Sequence, residues 1–361
     1  MNFTKKYKSY LLVISALTIT SNGTSLAAND TTTLPKTIGF SKVTDVYVAG
    51  YSNDGKYNYV ATYWKNGKPV YLTDGVHQGK AKGIVVVGND VYLSGEVNQN
   101  RQSVATYWKN GIAVSLTDGN NKASATGIAV VGKDIYVSGY EAGKNLSYVA
   151  MCWKNGVPMR LSDGSLHEPT TAIAVSGNNV YVAGFEQDTQ NLSSTKAKYW
   201  KNGRAVLLAP ADKEASASGI AVVGNDVYVA GQQRGKFGFM VKYWKNGKET
   251  DLSDIEGLGA SSRAIVAVGN DVYVTGAKKS SDYNLVPAYW KNGKEIILSS
   301  ETRKRSGFAE AITVSNKIVY IAGEENNGQY DVAKYWENGN AIYLGDGKHN
   351  SAAYAIAVIE R

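Results

Sequence analysis

The chain has 361 residues, of which 39 are basic and 31 acidic, giving a formal charge of +8. Three of those charges, Lys5, Lys6 and Lys8, lie in the first 27 residues, and six more lysines recur once per repeat, so the basicity is spread around the molecule and lacks the clustered patch of a nucleic-acid-binding protein. A single cysteine, Cys152, excludes an internal disulfide; its place in a repeated motif marks it as a small buried substitute, not a reactive thiol.

In chain order, residues 1–27 have the layout of a secretory signal: a lysine-bearing start, the apolar run LLVISALTI, and small residues at Ser25 and Ala27. The run is too short to span a bilayer, and no later stretch is longer. The expectation is an exported protein, periplasmic or extracellular, without a membrane span. No cysteine near the cut offers a lipid anchor. Residues 28–39 read as a linker and 40–361 as a repeat domain.

The repeat is marked by YWKNG at 63–67, 107–111, 199–203, 243–247 and 289–293, with the variants CWKNG at 152–156 and YWENG at 335–339. All seven tryptophans lie in this pentapeptide, spaced by 44, 45, 47, 44, 46 and 46 residues. Such a period belongs to solenoids, propellers and arrays. Within one unit (218–254), GIAVV predicts strand A, the GND turn leads to strand B (DVYVAG), strand C ends in YW, and Asn-Gly turns the chain into strand D. Asn-Gly between apolar runs is a strong hairpin signal, because both turn positions need positive φ. Helical periodicity is missing throughout residues 28–361.

Four antiparallel strands in each of seven units predict an all-β fold, a seven-bladed β-propeller. Its first strand is a strand B (45–50), and 353–359, AYAIAVI, is a strand A with no blade after it. The C-terminal strand therefore completes the first blade and closes the ring. Pro69 and Pro158 fall in strand D, which places D at the outer edge and A around the channel. The repeated tryptophans and the strand-B tyrosines are too uniform for sugar platforms and read as inter-blade core. On these residues the chain, over about 40–361, resembles the secreted seven-bladed propeller proteins built from short repeats. It lacks the Gly-His and Trp-Asp pairs of WD40 repeats, the kelch di-glycine and a proper Asp-box, so no family's active site is carried over.

The A–B and C–D turns share one monotonous face, whereas the B–C and D–A loops on the other face vary in every blade, as binding faces of repeat proteins do. His77, His167 and His349 lie on that variable face, each after an Asp-Gly, but no spacing supports a metal site. No P-loop, nucleophile elbow, dinucleotide fingerprint or calcium loop is present, so no cofactor is expected. The residue opening strand A at the channel mouth reads, round the ring, Tyr354, Lys82, Thr126, Thr171, Ser218, Arg263 and Glu310. The arc Arg263–Glu310–Tyr354–Lys82, fed by loops carrying Arg303, Lys304, Arg305, His77 and His349, is the candidate ligand site. Its expected ligand is a small anionic molecule or a saccharide; a protein partner is also open. Alanine at Lys82 and Arg263 is expected to abolish binding without altering stability. The leading function is a monomeric, non-catalytic binding module; the alternatives are a propeller hydrolase, lyase or lactonase, and a multivalent lectin.

Overall fold

A computed structural model of the protein describes residues 43–53, 55–56, 58–143, 147–188, 195–210, 212–253, 259–299 and 306–361. The segments expected to be an export signal and a linker, and the Arg303–Arg305 cluster, lie outside these residues. Among those described there are 28 strands, no helix, and seven separate four-stranded antiparallel sheets.

Each sheet is one blade in the order A-B-C-D. In blade 1, strand A is Ser351–Glu360, B is Thr44–Asn53, C is Tyr59–Lys65 and D is Lys68–Tyr71. The C-terminal strand pairs directly with the first strand (Val48 opposite Ile356) and touches strand A of both neighbouring blades. Closure of the ring by that strand is as the permuted repeat requires. In blades 2 to 7, strand A spans Gly79–Val87, Ala123–Val131, Thr170–Ser176, Ala215–Val223, Ala260–Val268 and Gly307–Ser315. Adjacent A strands contact one another all the way round, so they line the axis. The D strands are short and almost wholly exposed, which is where Pro69 and Pro158 sit.

All seven tryptophans are less than 2 % exposed. Each packs across the gap onto the preceding blade. Trp244 joins Tyr181 and Tyr199 of blade 4, Trp290 joins Tyr228 and Tyr243 of blade 5, and Trp200 joins Cys152 of blade 3. Alternation along strand C explains the pairing: Trp points to one neighbour and the preceding Tyr or Cys to the other. Burial pushes the Cys152 thiol up to about 12, so it is inert filler in that gap.

The uniform face has its own chemistry. Every Asn of the Asn-Gly turns has positive φ, and its side-chain oxygen accepts the backbone N–H near the start of strand B. In five blades the Asp that opens strand B receives both the turn Asn amide and the turn Lys, with Lys–Asp separations of 2.7–3.4 Å. In blades 1 to 6 the same Lys lies 5.1–5.3 Å from the strand-B Tyr ring. The repeated turn is thus a clamp between the C–D and A–B connections.

The Leu-Thr/Ser-Asp-Gly stretches after strand D are also structural. In blades 1, 2, 3 and 5 the Thr or Ser hydroxyl accepts a strand-C N–H that strand D is too short to reach. In blade 6 that position is Pro287, which has no N–H to satisfy, so a proline is accepted in an inner strand.

Candidate functional site

A β-bulge interrupts strand A in every blade. In six of them the unpaired residue is Tyr354, Lys82, Thr126, Thr171, Ser218 or Glu310, and in blade 6 Arg263 and Ala264 are both skipped. The extra residue is turned out of the ladder. Opposite each bulge sits the strand-B glycine, which a Cβ would drive into strand A: at Gly231 it would overlap the Ser216 carbonyl and come within 2.6 Å of the Trp244 ring. The seven positions expected at the channel mouth are therefore one structural feature repeated seven times.

Most of that ring is occupied in fastening blade to blade. Lys82 is buried; its Nζ donates to Glu96 (3.0 Å) on its own blade and to the Ser124 hydroxyl (2.8 Å) of blade 3. Burial pushes the Glu96 carboxyl up, but the Lys82 ammonium outweighs this and holds it below its ordinary value. Thr126 meets Thr170 of blade 4 at 2.9 Å, and Ser218 meets Ser262 of blade 6 at 2.8 Å. Tyr354 is buried, its ring 5.8 Å from Tyr51. The expectation that Lys82 could become Ala at no cost in stability therefore needs correction, since the substitution would strand a buried carboxylate.

The exception is the junction of blades 6 and 7. Arg263, partly exposed, donates from Nε to Glu310 (3.1 Å) and lies over the Phe308 ring at 4.4 Å. Phe308 stands opposite Glu324 in the ladder. Glu310 is thus met by Arg263, whose Nε lies 3.1 Å from each carboxylate oxygen, whereas Oε2 of Glu324 has no hydrogen-bond partner among the described residues, nor do the Thr171 hydroxyl and Gln232 Oε1 elsewhere in the two rings. Burial raises both carboxyls; Arg263 offsets only part of this for Glu310, which stays raised, whereas for Glu324 the nearby Glu310 adds to burial and the group lies well above the carboxylate range. Glu324 was not among the residues singled out from the sequence. It follows the strand-B glycine, and that position is variable within an otherwise repeated motif: Tyr51, Glu96, Tyr140, Phe185, Gln232, Ala277 and Glu324. This second ring faces the bulge residues, and its variability was the available signal.

The histidines lie apart from this cluster. His77 Nδ1 pairs with Asp74 (3.3 Å) and His349 Nδ1 with Asp346 (2.8 Å), each within its own Asp-Gly turn. His349 lines a cleft of about 560 Å³ at the outer seam between blades 7 and 1, together with Asp74. His167 packs on Tyr148 and bridges to Gln187. The structure therefore joins Arg263 with Glu310, gives Lys82 other partners, and sends His349 to a different place. Among the described residues no group of three or more metal-ligating side chains converges.

No family model and no curated protein matches the chain. Among solved structures it is similar to a puromycin-hydrolysing peptidase of Mycobacterium tuberculosis (8 % identity, TM-score 0.58, 83 % of this chain and 51 % of that one). It is also similar to a puromycin hydrolase (12 % identity, TM-score 0.55, 85 % and 52 %). The chain thus spans about half the length of either, and at such identities the likeness is one of fold: this chain is a seven-bladed β-propeller.

Proposed function

We propose that the protein is a non-catalytic binding module whose ligand enters the channel mouth on the variable face and meets Arg263, Glu310 and Glu324. One observation carries the reading: Glu324 Oε2 is a buried carboxyl oxygen with no hydrogen-bond partner among the described residues, next to a Glu310 whose own carboxylate is already held by Arg263 Nε at 3.1 Å. A buried polar atom left without a partner costs stability and calls for an explanation. A ligand that donates hydrogen bonds supplies one. Both cations of the arc already face a carboxylate, so the proposed ligand is hydroxylated or amine-bearing, not an anion. Phe308 offers it an apolar face.

Titration calorimetry with glucose, glucosamine and glucuronate tests this. The reading expects glucosamine or glucose to bind and Glu324→Ala to weaken that binding at least tenfold. Binding of glucuronate alone, or an unaffected Glu324→Ala variant, would refute it. One observation favours a second reading, that of an enzyme: burial and the neighbouring Glu310 make the Glu324 carboxyl hold its proton more tightly than usual, as a general acid needs. Turnover of a bound glycoside that Glu324→Gln abolishes while leaving binding intact would establish it.

A further inference from the structure

The seam between blades 7 and 1 carries a second, independent site. Its cleft, about 560 Å³, lies within the usual size of small-ligand pockets. The floor is one face of blade 1. Trp64 stands opposite Pro69 in the ladder, and Tyr71 lies two residues further along strand D, so all three point the same way. Trp64 is buried, but Tyr71 is 63 % exposed, a large aromatic ring left open to solvent beside a cavity.

The rim supplies hydrogen-bonding groups of both kinds. Asn53 Oδ1 accepts the Gly55 N–H (2.9 Å) and Asn350 Oδ1 accepts the Asp331 N–H (3.0 Å). Backbone donors fix both amide orientations, so each Asn holds an NH2 group with no partner among the described residues. Across from them stand the carboxylates of Asp74 and Asp346, both held below their ordinary range: by the His77 N–H for Asp74, and for Asp346 by the turn N–H groups and His349, which outweigh burial. Each is thereby ionised at neutral pH and retains lone pairs for further donors. The His349 ring crosses the seam to blade 1, where Gly55 makes room for it: a Cβ there would sit 3.1 Å from Nε2.

The seam is also built differently from other inter-blade junctions. In blade 7 the hydroxyl that follows strand D in blades 1, 2, 3 and 5 is replaced by Gly345 (in blade 4 by Ala209), and Ser351 of blade 1 reaches over to cap Ala333 N–H instead (3.0 Å). A Cβ on Gly345 would overlap the Ser351 hydroxyl.

We propose that this seam cleft binds a short neutral saccharide. A pyranose presents an apolar face of C–H groups, suited to Tyr71 and Pro69, and a rim of hydroxyls that both donate and accept, suited to the Asp carboxylates and the Asn amides. Unlike the channel mouth, the cleft needs no unpartnered buried acid to be useful.

The test is an array of neutral oligosaccharides ending in glucose, galactose, mannose or N-acetylglucosamine, probed with the protein and with Tyr71→Ala, Asn53→Ala and Glu324→Gln. The first two changes lie on exposed or half-exposed positions, and their thermal midpoints check that the fold is intact. The expected result is retention of at least one glycan by the wild type, a tenfold or greater loss with Tyr71→Ala and a smaller loss with Asn53→Ala. Retention of no glycan in the panel, or full affinity in Tyr71→Ala, overturns the proposal. Loss with Glu324→Gln alone also overturns it and assigns the sugar to the channel.

Discussion

The Lys82–Glu96 pair gives the sharpest test of how the channel wall is held. Replacing Lys82 with Met keeps the length of the side chain and removes its charge. The Lys82 side chain is 7 % exposed and Glu96 16 %, with 3.0 Å between nitrogen and oxygen. Breaking a buried pair by removing one partner costs about 3–5 kcal/mol, because the other charge is left uncompensated. Since Glu96 keeps some contact with solvent, the lower end applies, about 3 kcal/mol at pH 7. The pair Lys82→Met with Glu96→Gln should cost much less than the sum of the single changes, since no charge is then stranded. Urea unfolding of the four proteins measures this. The pH dependence follows from Glu96. Its folded value lies below its ordinary one, so the stabilisation is fully present above about pH 4.5 and is lost as pH falls through the folded value. The Lys82→Met penalty should shrink over that acidic range. A penalty under about 1 kcal/mol at pH 7, or single-site costs that simply add, would refute the view that Lys82 is a fastener between blades 2 and 3.

Removing Ser351–Arg361 should lower the thermal midpoint sharply and broaden the transition, since it takes strand A from blade 1 and uncovers both neighbours; an unchanged melting curve would show that closure contributes nothing. Gly247→Val should cost more than about 1 kcal/mol through backbone strain alone, because φ is 82° and no atom lies within 4 Å of the new Cβ, whereas Gly231→Ala should cost about 2 kcal/mol through collision with strand A and Trp244; urea unfolding that ranks them the other way would contradict the bulge geometry. Glu324 has a raised folded value, so the native state holds a proton that the unfolded state releases above about pH 4.3, and stability should decline as pH rises from there. Glu324→Gln should therefore be more stable than wild type at pH 8 and equal to it at pH 4, as thermal melts at the two pH values would show.

The fold was legible because its signals are local or periodic. Asn-Gly demands a turn that few other dipeptides can make, and the unpaired strand A at one end and strand B at the other state the closure directly. The channel wall was legible only by position. The seven bulge residues could be counted out from the repeat, but their partners could not: Lys82 finds Glu96 fourteen residues away on the next strand, and Arg263 finds Glu310 forty-seven residues away on the next blade. A bulge adds one residue without disturbing the period, so no sequence pattern announces it. The seam cleft was hidden for a stronger reason. Tyr71 and His349 meet only because the chain ends close on each other, and neither residue lies in a repeated motif.

Blade 7 shows why the uniform face carries the fold and leaves function to other residues. Its strand B opens with Ile318 where five other blades have Asp, and its turn carries Glu337 where the others have Lys. The two changes occur together, although nineteen residues separate them. If the lysines served a ligand on that face, loss of the Asp would not require loss of the Lys. If instead each Lys exists to meet its Asp and cover its Tyr, removing the Asp removes one electrostatic reason for the Lys, and Glu337, opposite Tyr320, meets no acid at position 318. Blade 4 loses the Asp and keeps the Lys: Asn179 still accepts the Asn202 amide at 2.8 Å, and Lys201 still lies over Tyr181, so the ring alone suffices to hold it. Polar residues with a partner in the same blade are thus explained by the blade. Glu324 Oε2 on the channel wall is an acid group that its blade leaves unmet, and a bound ligand is what would meet it.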